Sequence, residues 1–572
     1  MSWIVGIIGE SIPPETIAQI KKLSAYPLKS IDVPSEFFAM MGGNNQTLHC
    51  IHHNDDSYTL ITGLGIAGIG HSSSILTSNE WEKLTASERP NIGHLNGHFT
   101  IVQYHNHSIE CFSDRVGLRT LYFARSNHGW VFSSRLSWIR ELTDHSAIDW
   151  GRFGSKWLCG QPFSYDAPLE NVQRLPPNGS AVIRQSQLSI RSSPWIELSS
   201  AARAASAGTV DTLQHLLSIS DKKIKLGLSG GLDSRVLLSF LRSRHAEFSA
   251  YAFGSPDEPD IQLAQRMCRD LNIPFQLLDD EFPTQDGCLS LVTQSVRQSN
   301  ITGPASSTIR LRWYPALAEK ESVVIDGGNG EIARRQFFTL LKLKASKFIY
   351  NGDAERLFPY LTAPRPDIFT PETNRIMEQG AISELTSLFQ FLPQPEHFGI
   401  DTFLDLLAAT MRIPNIACDE QARIDEHLVN FMPFSQPDFI ASALRLPVAE
   451  RQNNRLFKLM IRQNDSVLAR YPLVKNNTSY PYGLSTLQSR LYIKGKDILM
   501  RKKPDPDVHV FLGKVKSVVF DTLLSQSVKN YPHYNYQTIT RCVERYFAGE
   551  KKYAAAVDWW FAFELWRRNV EK

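Results

Sequence analysis

Cysteine patterns of metal sites and disulfide scaffolds are missing from this sequence. The 572 residues include seven cysteines, with no Cys-x-x-Cys pair and no cysteine–histidine spacing typical of a zinc site. An odd, scattered set of this kind predicts reduced thiols and a cytoplasmic protein. The cysteines are Cys50, Cys111, Cys159, Cys268, Cys288, Cys418 and Cys542.

Excess charge and long apolar runs are also missing. Lysine and arginine total 61 against 58 for aspartate and glutamate, and this net charge of +3 argues against nucleic acid or a membrane as partner. No stretch approaches the length of a transmembrane helix, and no repeat of about 20–50 residues is visible. The apolar run Trp3–Gly9 is short and follows no basic segment, so we interpret it as a first strand and not as a signal peptide.

The length of the chain predicts two or more domains. Residues 1–190 contain short alternating strands broken by Gly, Asn and His, a pattern typical of an antiparallel sheet domain with some helix. In residues 205–572 strands first alternate with helices, which is typical of a parallel sheet covered on both faces, and the chain then becomes mostly helical. The predicted strands of this second domain are 223–228, 248–253, 275–278 and 323–325.

The most informative motif is the loop Ser229-Gly230-Gly231-Leu232-Asp233-Ser234, which lies between the strand 223–228 and an apolar helical run. Glycine lets the backbone approach a ligand, and the first N–H groups of the helix point at it, so the turn predicts an anion site. Asp233 beside an anion indicates a bridging Mg²⁺. The spacing differs from the P-loop, which ends in Gly-Lys-Ser/Thr. We interpret the motif as a pyrophosphate cradle, with an ordinary glycine turn as the alternative.

A second glycine loop, Asp326-Gly327-Gly328-Asn329-Gly330-Glu331, follows the strand 323–325. Because ligands bind at the carboxyl ends of parallel strands, we expect the two loops on one edge of the sheet. The residues that we assign to nucleotide binding are Leu228, Ser229, Gly230, Gly231, Leu232, Asp233, Ser234, Phe253 and Gly328.

Further motifs follow in order along the chain. The Ser229–Ser234 string resembles the PP-loop of ATP pyrophosphatases. Leu95–Phe99 and Ser113–Tyr122 resemble the motifs Leu-Asp-Gly-x-Phe and Arg-Asp-x-x-Gly-x-x-Pro-Leu-Tyr, and Phe561–Trp566 resembles a characteristic last helix. Together these motifs resemble the asparagine synthetase family, including its relatives that make β-lactams and lasso-peptide macrolactams. We interpret Asp114–Gly117 as a structural ion pair before a turn.

The resemblance implies a fold and a chemistry. The fold is an N-terminal Ntn-hydrolase-like antiparallel β-sandwich with helices, followed by a doubly wound parallel-sheet PP-loop domain with a helical end. The cofactors implied are ATP and Mg²⁺. Glu331 falls on the family's metal-binding aspartate, so Asp233 and Glu331 are the implied metal ligands; an N-capping acid is the alternative for Glu331. Arg334 and Arg335 either bind a substrate carboxylate or face solvent.

A lysine completes the implied site. Pro472–Asn477 resembles the family loop whose lysine contacts the ATP phosphates and stabilises charge during acyl transfer. Lys475 is therefore the catalytic lysine implied, together with Glu331, and a surface lysine is the alternative.

The first domain departs from the glutamine-hydrolysing members of the family. Their nucleophile is the cysteine after the initiator methionine, where this chain has Ser2, and Trp3 replaces the next glycine. The stretch Met41–Gly70 contains no arginine and none of the family's glutamine-binding strings. We therefore predict that residues 1–190 form a degenerate glutaminase-like domain.

The function implied is an amide ligase that cleaves ATP to AMP and pyrophosphate and uses no glutamine, with an intramolecular lactam or macrolactam synthetase as one form. Its substrate is a small molecule or peptide with a carboxylate and an amine, and a lasso-type enzyme would imply a precursor peptide and its processing protease. The alternatives are an asparagine synthetase that uses ammonia or a residual glutaminase activity, and a non-catalytic scaffold. Insertion of sulfur or nitrogen into tRNA is disfavoured by the modest charge and the missing Cys-x-x-Cys pair.

Overall fold

The computed structural model describes residues 2–24, 27–54, 57–69, 72–87, 90–143, 147–196, 206–219, 222–279, 281–298, 300, 303–319, 321–500 and 506–571. Residues 197–205, in the predicted junction between the domains, lie outside this range.

The first part of the chain is mostly strands. They are β1 (Trp3–Ile8), β2 (Lys29–Val33), β3 (Phe37–Gly42), β4 (Leu48–Asn54), β5 (Ser57–Ile69), β6 (Ser72–Ile75), β7 (Asn96–His105), β8 (Ser108–Ser113), β9 (Tyr122–Ser126), β10 (Gly129–Ser133), β11 (Val172–Arg174), β12 (Gly179–Arg184) and β13 (Gln187–Ser192). The helices are α1 (Pro14–Lys22), α2 (Ser78–Leu84), α3 (Leu136–Leu142) and α4 (Trp150–Cys159).

These strands form two antiparallel sheets. One has the order β11-β9-β10-β1-β3-β2, and the other has the order β13-β12-β8-β7-β5-β4 with β6 on β5. Apolar side chains from both sheets meet in one core, for example Phe37 and Phe132 from the first and Leu60 and Val102 from the second. Burial of these faces holds the sheets together as the antiparallel sandwich expected for this domain.

The second part of the chain contains a parallel sheet and many helices. Its strands are β14 (Lys223–Gly227), β15 (Phe248–Phe253), β16 (Phe275–Leu278), β17 (Ser322–Ile325), β18 (Asn430–Phe431), β19 (Leu473–Lys475) and β20 (Thr478–Tyr480). Its helices are α5 (Ser206–Leu216), α6 (Asp233–Ser243), α7 (Pro259–Asp270), α8 (Gln285–Gln298), α9 (Tyr314–Leu317), α10 (Gly330–Ala333), α11 (Thr339–Tyr350), α12 (Ala354–Leu357), α13 (Pro371–Phe391), α14 (Pro395–Phe398), α15 (Ile400–Arg412), α16 (Cys418–Ile424), α17 (Pro437–Leu444), α18 (Val448–Arg451), α19 (Arg455–Asn464), α20 (Thr486–Met500), α21 (Pro506–Lys514), α22 (Lys516–Leu524), α23 (Gln526–Lys529), α24 (Tyr536–Phe547) and α25 (Ala554–Val570).

The parallel sheet has the order β16-β15-β14-β17-β18. The four predicted strands are confirmed within one or two residues at their ends, whereas the two-residue β18 carries no sequence signal. The chain runs from β14 outward to β15 and β16, and then returns to β17 on the other side of β14. The strand order therefore reverses between β14 and β17, which makes the sheet doubly wound and leaves a crevice at that point. None of the described helices combines the length and apolar character that crossing a bilayer requires.

The two domains are joined by aromatic packing and polar contacts. Phe563 and Trp566 on the Trp-rich helix α25 lie against Phe153 on α4, with ring centroids 5.4 and 5.5 Å apart. Arg115 bonds Asp438 of the second domain at 2.7 Å. The predicted ion pair between Asp114 and Arg115 is therefore wrong. The Asp114 carboxylate instead accepts backbone N–H bonds from the turn that follows it, which supplies donors to both of its oxygens.

Glu384 on α13 is a buried carboxylate at the same domain boundary. It accepts hydrogen bonds from the hydroxyls of Ser155 and Ser164 and from the backbone N–H of Phe163, the last two at 2.7 and 3.3 Å. Burial nevertheless raises the pKa of Glu384 from 4.5 to about 7. The folded protein thus holds this proton more tightly than the unfolded chain, so this carboxyl lowers the free energy of unfolding as the pH rises from 4.5 to 7.

We expect Glu384→Gln to remove that dependence, because the amide is neutral at every pH. The free energy of unfolding of the variant minus that of the native protein should increase by about 2–3 kcal/mol as the pH rises from 4.5 to 8. Urea unfolding across this range measures the difference. Glu378→Gln, at an exposed position of the same helix, is the control, and parallel profiles for Glu384→Gln and the native protein would contradict the assignment.

Candidate nucleotide site

The two glycine loops lie side by side, as predicted. Leu226 at the end of β14 pairs with Ile325 at the end of β17 in a parallel ladder, so both strands deliver their following loops to one edge of the sheet. This edge coincides with the point where the strand order reverses. Crevices at such points are the usual ligand sites of doubly wound sheets.

The first loop is closed by its own serines. The Ser234 hydroxyl accepts the N–H of Ser229 at 3.1 Å and lies 3.0 Å from the Ser229 hydroxyl, which accepts the N–H of Gly231 at 3.1 Å. Helix α6 begins at Asp233 without any side-chain cap. Its first N–H groups are therefore available to an anion. The side chains of Leu228 and Leu232 are buried in the core of the sheet, so only their backbone can face a ligand.

Two other segments brace this loop at Gly230. The Gly230 N–H donates to Asp260 on α7 at 2.9 Å, and the Gly230 carbonyl accepts the N–H of Val474 on β19 at 3.0 Å. A Cβ at Gly230 would lie 2.8 Å from the Val474 side chain, so close docking of this strand requires glycine. The N–H of Gly230 is consequently engaged by the protein.

The second loop packs against the start of α6. The Gly328 N–H donates to Asp326 at 2.7 Å, and the amide of Asn329 donates to the Ser435 hydroxyl at 2.8 Å. A Cβ at Gly330 would lie 2.4 Å from Oδ1 of Asp233, which explains glycine at that position. Burial raises the pKa of Asp326 to about 6.

Asp233 is the centre of the site. Its Oδ2 accepts a hydrogen bond from Nη2 of Arg334, while Oδ1 is buried without a hydrogen-bond partner among the described residues. Burial raises the pKa of Asp233 to about 6, against the lowering effect of Arg334, and the nearby charge of Glu331 raises it further. Asp233, Glu331 and Arg334 therefore form one electrostatic cluster across both loops.

Lys475 reaches this cluster from a hairpin. It ends β19, which pairs with β20 through a turn at Asn476 and Asn477, both with positive φ (50° and 61°). Loss of solvent and the neighbouring Arg334 and Arg490 lower the pKa of Lys475, whereas Glu331 and Asp233 raise it. Lys475 is exposed, but it lies close enough to Glu331 and Asp233, the carboxylates with which the sequence prediction grouped it, for their charges to shift its pKa.

The sequence prediction also singled out Phe253 and the adjacent pair Arg334 and Arg335. Phe253 ends β15, beside β14, and its ring stacks on Trp313 with centroids 5.0 Å apart. Of the two alternatives for Arg334 and Arg335, the solvent-facing one is wrong, because their side chains are only 12% and 8% exposed. Arg334 bonds Asp233, and Arg335 bonds Asp401 and Asp405 at 2.7 and 2.8 Å, so both hold carboxylates of the protein itself.

Two functional neighbours escaped the sequence prediction. Asp260 begins α7 after Pro259, and only the fold shows that it reaches Gly230. Arg235, directly after the loop, is fully buried and donates to the carbonyls of Tyr471 and Pro472 at 2.9 and 2.6 Å. A charged residue directly before the run Val236–Leu241, which is apolar except for Ser239, is the one signal that could have identified Arg235.

The position of the family's glutaminase nucleophile is closed. The side chain of Ser2 is fully buried, and its hydroxyl bonds the Thr47 hydroxyl and lies 3.3 Å from the Asn44 carbonyl oxygen. The Trp3 ring covers Gly42, where a Cβ would lie 2.5 Å from it, and stacks edge-on against Trp138. A substrate cannot reach this hydroxyl in the structure as it stands.

Among known proteins, residues 210–327 match the family model described as asparagine synthase. No curated protein matches the chain. Solved structures with partial likeness include a glutamine phosphoribosylpyrophosphate amidotransferase from B. subtilis complexed with ADP and GMP, at 11% identity, TM-score 0.22, and coverage of 59% of this chain and 79% of that one. Another is described as the allosteric regulatory enzyme of purine biosynthesis, at 10% identity, TM-score 0.20, and coverage of 60% and 72%.

TM-scores this low do not establish a common fold. The family match begins within α5, covers β14, the Ser229–Ser234 loop and the chain as far as β17, and ends before Glu331 and Lys475. The segment that contains the first glycine loop and the strands β14 to β17 is therefore similar to the asparagine synthase model.

Proposed function

We propose that this protein is an ATP-dependent carbon–nitrogen ligase that adenylates a substrate carboxylate and joins it to an amine, without hydrolysing glutamine. One observation carries the proposal: an uncapped helix start, the carboxylates of Asp233 and Glu331, and Lys475 converge at the reversal point of the sheet. This set of groups suits a polyphosphate and a metal ion. The asparagine synthase match over the same loop supports it.

The residues present fit Mg²⁺. Oδ1 of Asp233 is buried without a hydrogen-bond partner among the described residues, and Glu331 lies near enough to influence the Asp233 charge. Mg²⁺ is commonly held by one or two carboxylates together with substrate phosphates. Asp233 and Glu331 would hold it here. When bound, the ion neutralises charge on the phosphates of ATP.

The chemistry proposed has two steps. In the first, a carboxylate oxygen of the substrate attacks the α-phosphorus of ATP, the bond to the bridging oxygen breaks, and pyrophosphate leaves. In the second, the amine attacks the acyl carbon of the adenylate, loses a proton, and AMP leaves. The uncapped N–H groups of α6 bind the phosphates, and Lys475 stabilises the oxyanion formed in the second step.

The source of the amine follows from the first domain. Because the Ser2 hydroxyl is buried and Trp3 covers the adjacent strand, we propose that no ammonia is released from glutamine there. The amine then belongs to the substrate or arrives from solution. A substrate that carries both groups, as a peptide or small molecule, would give a lactam or macrolactam.

The test is release of pyrophosphate from Mg-ATP by the purified protein, with and without a set of candidate carboxylates. We expect substrate-dependent release that falls about a hundredfold or more in Asp233→Asn. Asp257→Asn, at an exposed position after β15, is the matched control and should behave like the native protein. Absence of both release and ATP binding would contradict the proposal and favour a scaffold.

A further inference from the structure

Arg334 is a cation built into the proposed metal site. Its guanidinium bonds Oδ2 of Asp233, donates to the side-chain oxygen of Asn454 at 3.3 Å, and lies over the ring of Phe457, 5.7 Å from its centroid. Only 12% of the side chain is exposed. Its Nε is buried with no hydrogen-bond partner among the described residues. Arg334 is thus held in place by α19 and retains donor capacity.

The carboxylates and the cations that act on Asp233 are balanced before any ligand binds. Two carboxylates, Asp233 and Glu331, face two cations: Arg334 bonds Asp233 directly, and Lys475, like Glu331, lies close enough to shift the pKa of Asp233. A pair of carboxylates without such cations attracts a free divalent ion strongly. With both cations present, the site offers a free ion little net attraction, but it remains suited to a metal bound to an anionic nucleotide.

We infer that Arg334 makes this site select the metal–nucleotide complex over the free metal ion, an inference that rests on the proposed function. Arg334 does so through Asp233: it neutralises the carboxylate through Oδ2 and holds it so that Oδ1 stays unengaged. When the nucleotide complex binds, the same guanidinium carries part of the charge of the phosphates. Arg334 is therefore a positioning residue for Asp233 and a binding residue for the nucleotide.

The inference predicts two effects of opposite sign in one variant. Free Mn²⁺, followed by its electron paramagnetic resonance signal at pH 8 without nucleotide, should bind Arg334→Gln about tenfold more tightly than the native protein. Affinity for ATP at saturating Mg²⁺, followed by calorimetry, should fall by about tenfold. A merely structural arginine would not produce tighter metal binding, since local disorder weakens a metal site.

Three further variants make the result interpretable. Arg334→Lys keeps the charge and should retain weak Mn²⁺ binding. Asp233→Asn combined with Arg334→Gln should lose the gain, because that gain requires the Asp233 carboxylate. Arg455→Gln removes an equal charge from the adjacent turn, where the exposed guanidinium donates to the Ala449 carbonyl, and should change neither affinity.

Unchanged or weaker Mn²⁺ binding in folded Arg334→Gln, as judged by thermal unfolding, would overturn the inference. The proposed function fails separately, if the native protein binds no Mg-ATP. In that case the Mn²⁺ titrations alone still decide whether Arg334 controls access of the free ion to Asp233.

Discussion

Replacing Lys475 by alanine is expected to slow amide formation by about a hundredfold to a thousandfold, the usual effect of removing a donor that stabilises an oxyanion. Lys475 is carried by a hairpin whose preceding residue, Val474, is hydrogen-bonded to Gly230. The backbone of the hairpin is therefore anchored to the Ser229–Ser234 loop, and Lys475 projects from it as an exposed residue. Because this stabilisation develops in the transition state, kcat should fall more than ATP affinity does.

The measurement is single-turnover amide formation together with ATP binding. Lys458→Ala is the control, because Lys458 on the neighbouring helix α19 donates to the Leu484 carbonyl at 2.8 Å instead of approaching the carboxylates. Lys475→Arg should recover part of the rate, since it restores the charge with a different shape. Full activity in Lys475→Ala would exclude Lys475 from the reaction and leave it as a surface lysine.

Asp405→Asn is expected to lower the free energy of unfolding by about 3–5 kcal/mol. The Asp405 carboxylate on α15 is 2% exposed and pairs with both Arg335 and Arg451, at 2.8 and 2.6 Å. Arg451 is fully buried, so it loses its only charged partner among the described residues. Removal of one member of a buried ion network leaves an uncompensated charge, which costs far more than a surface pair is worth.

Urea unfolding of the native protein, of Asp405→Asn and of a control variant measures this effect. Glu372→Gln is the matched control, since Glu372 pairs with Arg375 at 2.7 Å with both side chains more than 60% exposed. Such a pair contributes about 0–1 kcal/mol. Equal losses in the two variants would show that the Asp405 network is not the brace that holds Arg335 and the adjacent α10–α11 segment.

The parallel sheet could be predicted because its strands carry strong local signals. Lys223–Leu228 alternates charged and apolar residues before a glycine turn, and Val323–Ile325 is a β-branched run ending in Asp-Gly-Gly. β18 could not be predicted, because two residues define no period and the strand exists only through pairing with β17. Its place at the sheet edge is a tertiary effect.

The site was predictable where it lies in a continuous motif. Ser229–Ser234 identifies the loop, and the strand order then places Glu331 beside it. The pairing of Arg334 with Asp233 joins residues 101 positions apart in sequence, and nothing local distinguishes Arg334 from Arg335. Only packing shows that Arg334 enters the proposed nucleotide site and that Arg335 bonds Asp405 on α15.

The central claim is that the substrate carboxylate is activated as an adenylate. Identifying which phosphate bond of ATP is cleaved tests this claim most directly. With ATP labelled at the α-phosphate and a carboxylate substrate that triggers turnover, the account predicts labelled AMP, formed together with pyrophosphate, and loss of both in Asp233→Asn. Labelled ADP, formed with inorganic phosphate, would contradict it, because the carboxylate would then be activated at the γ-phosphate and not as an adenylate.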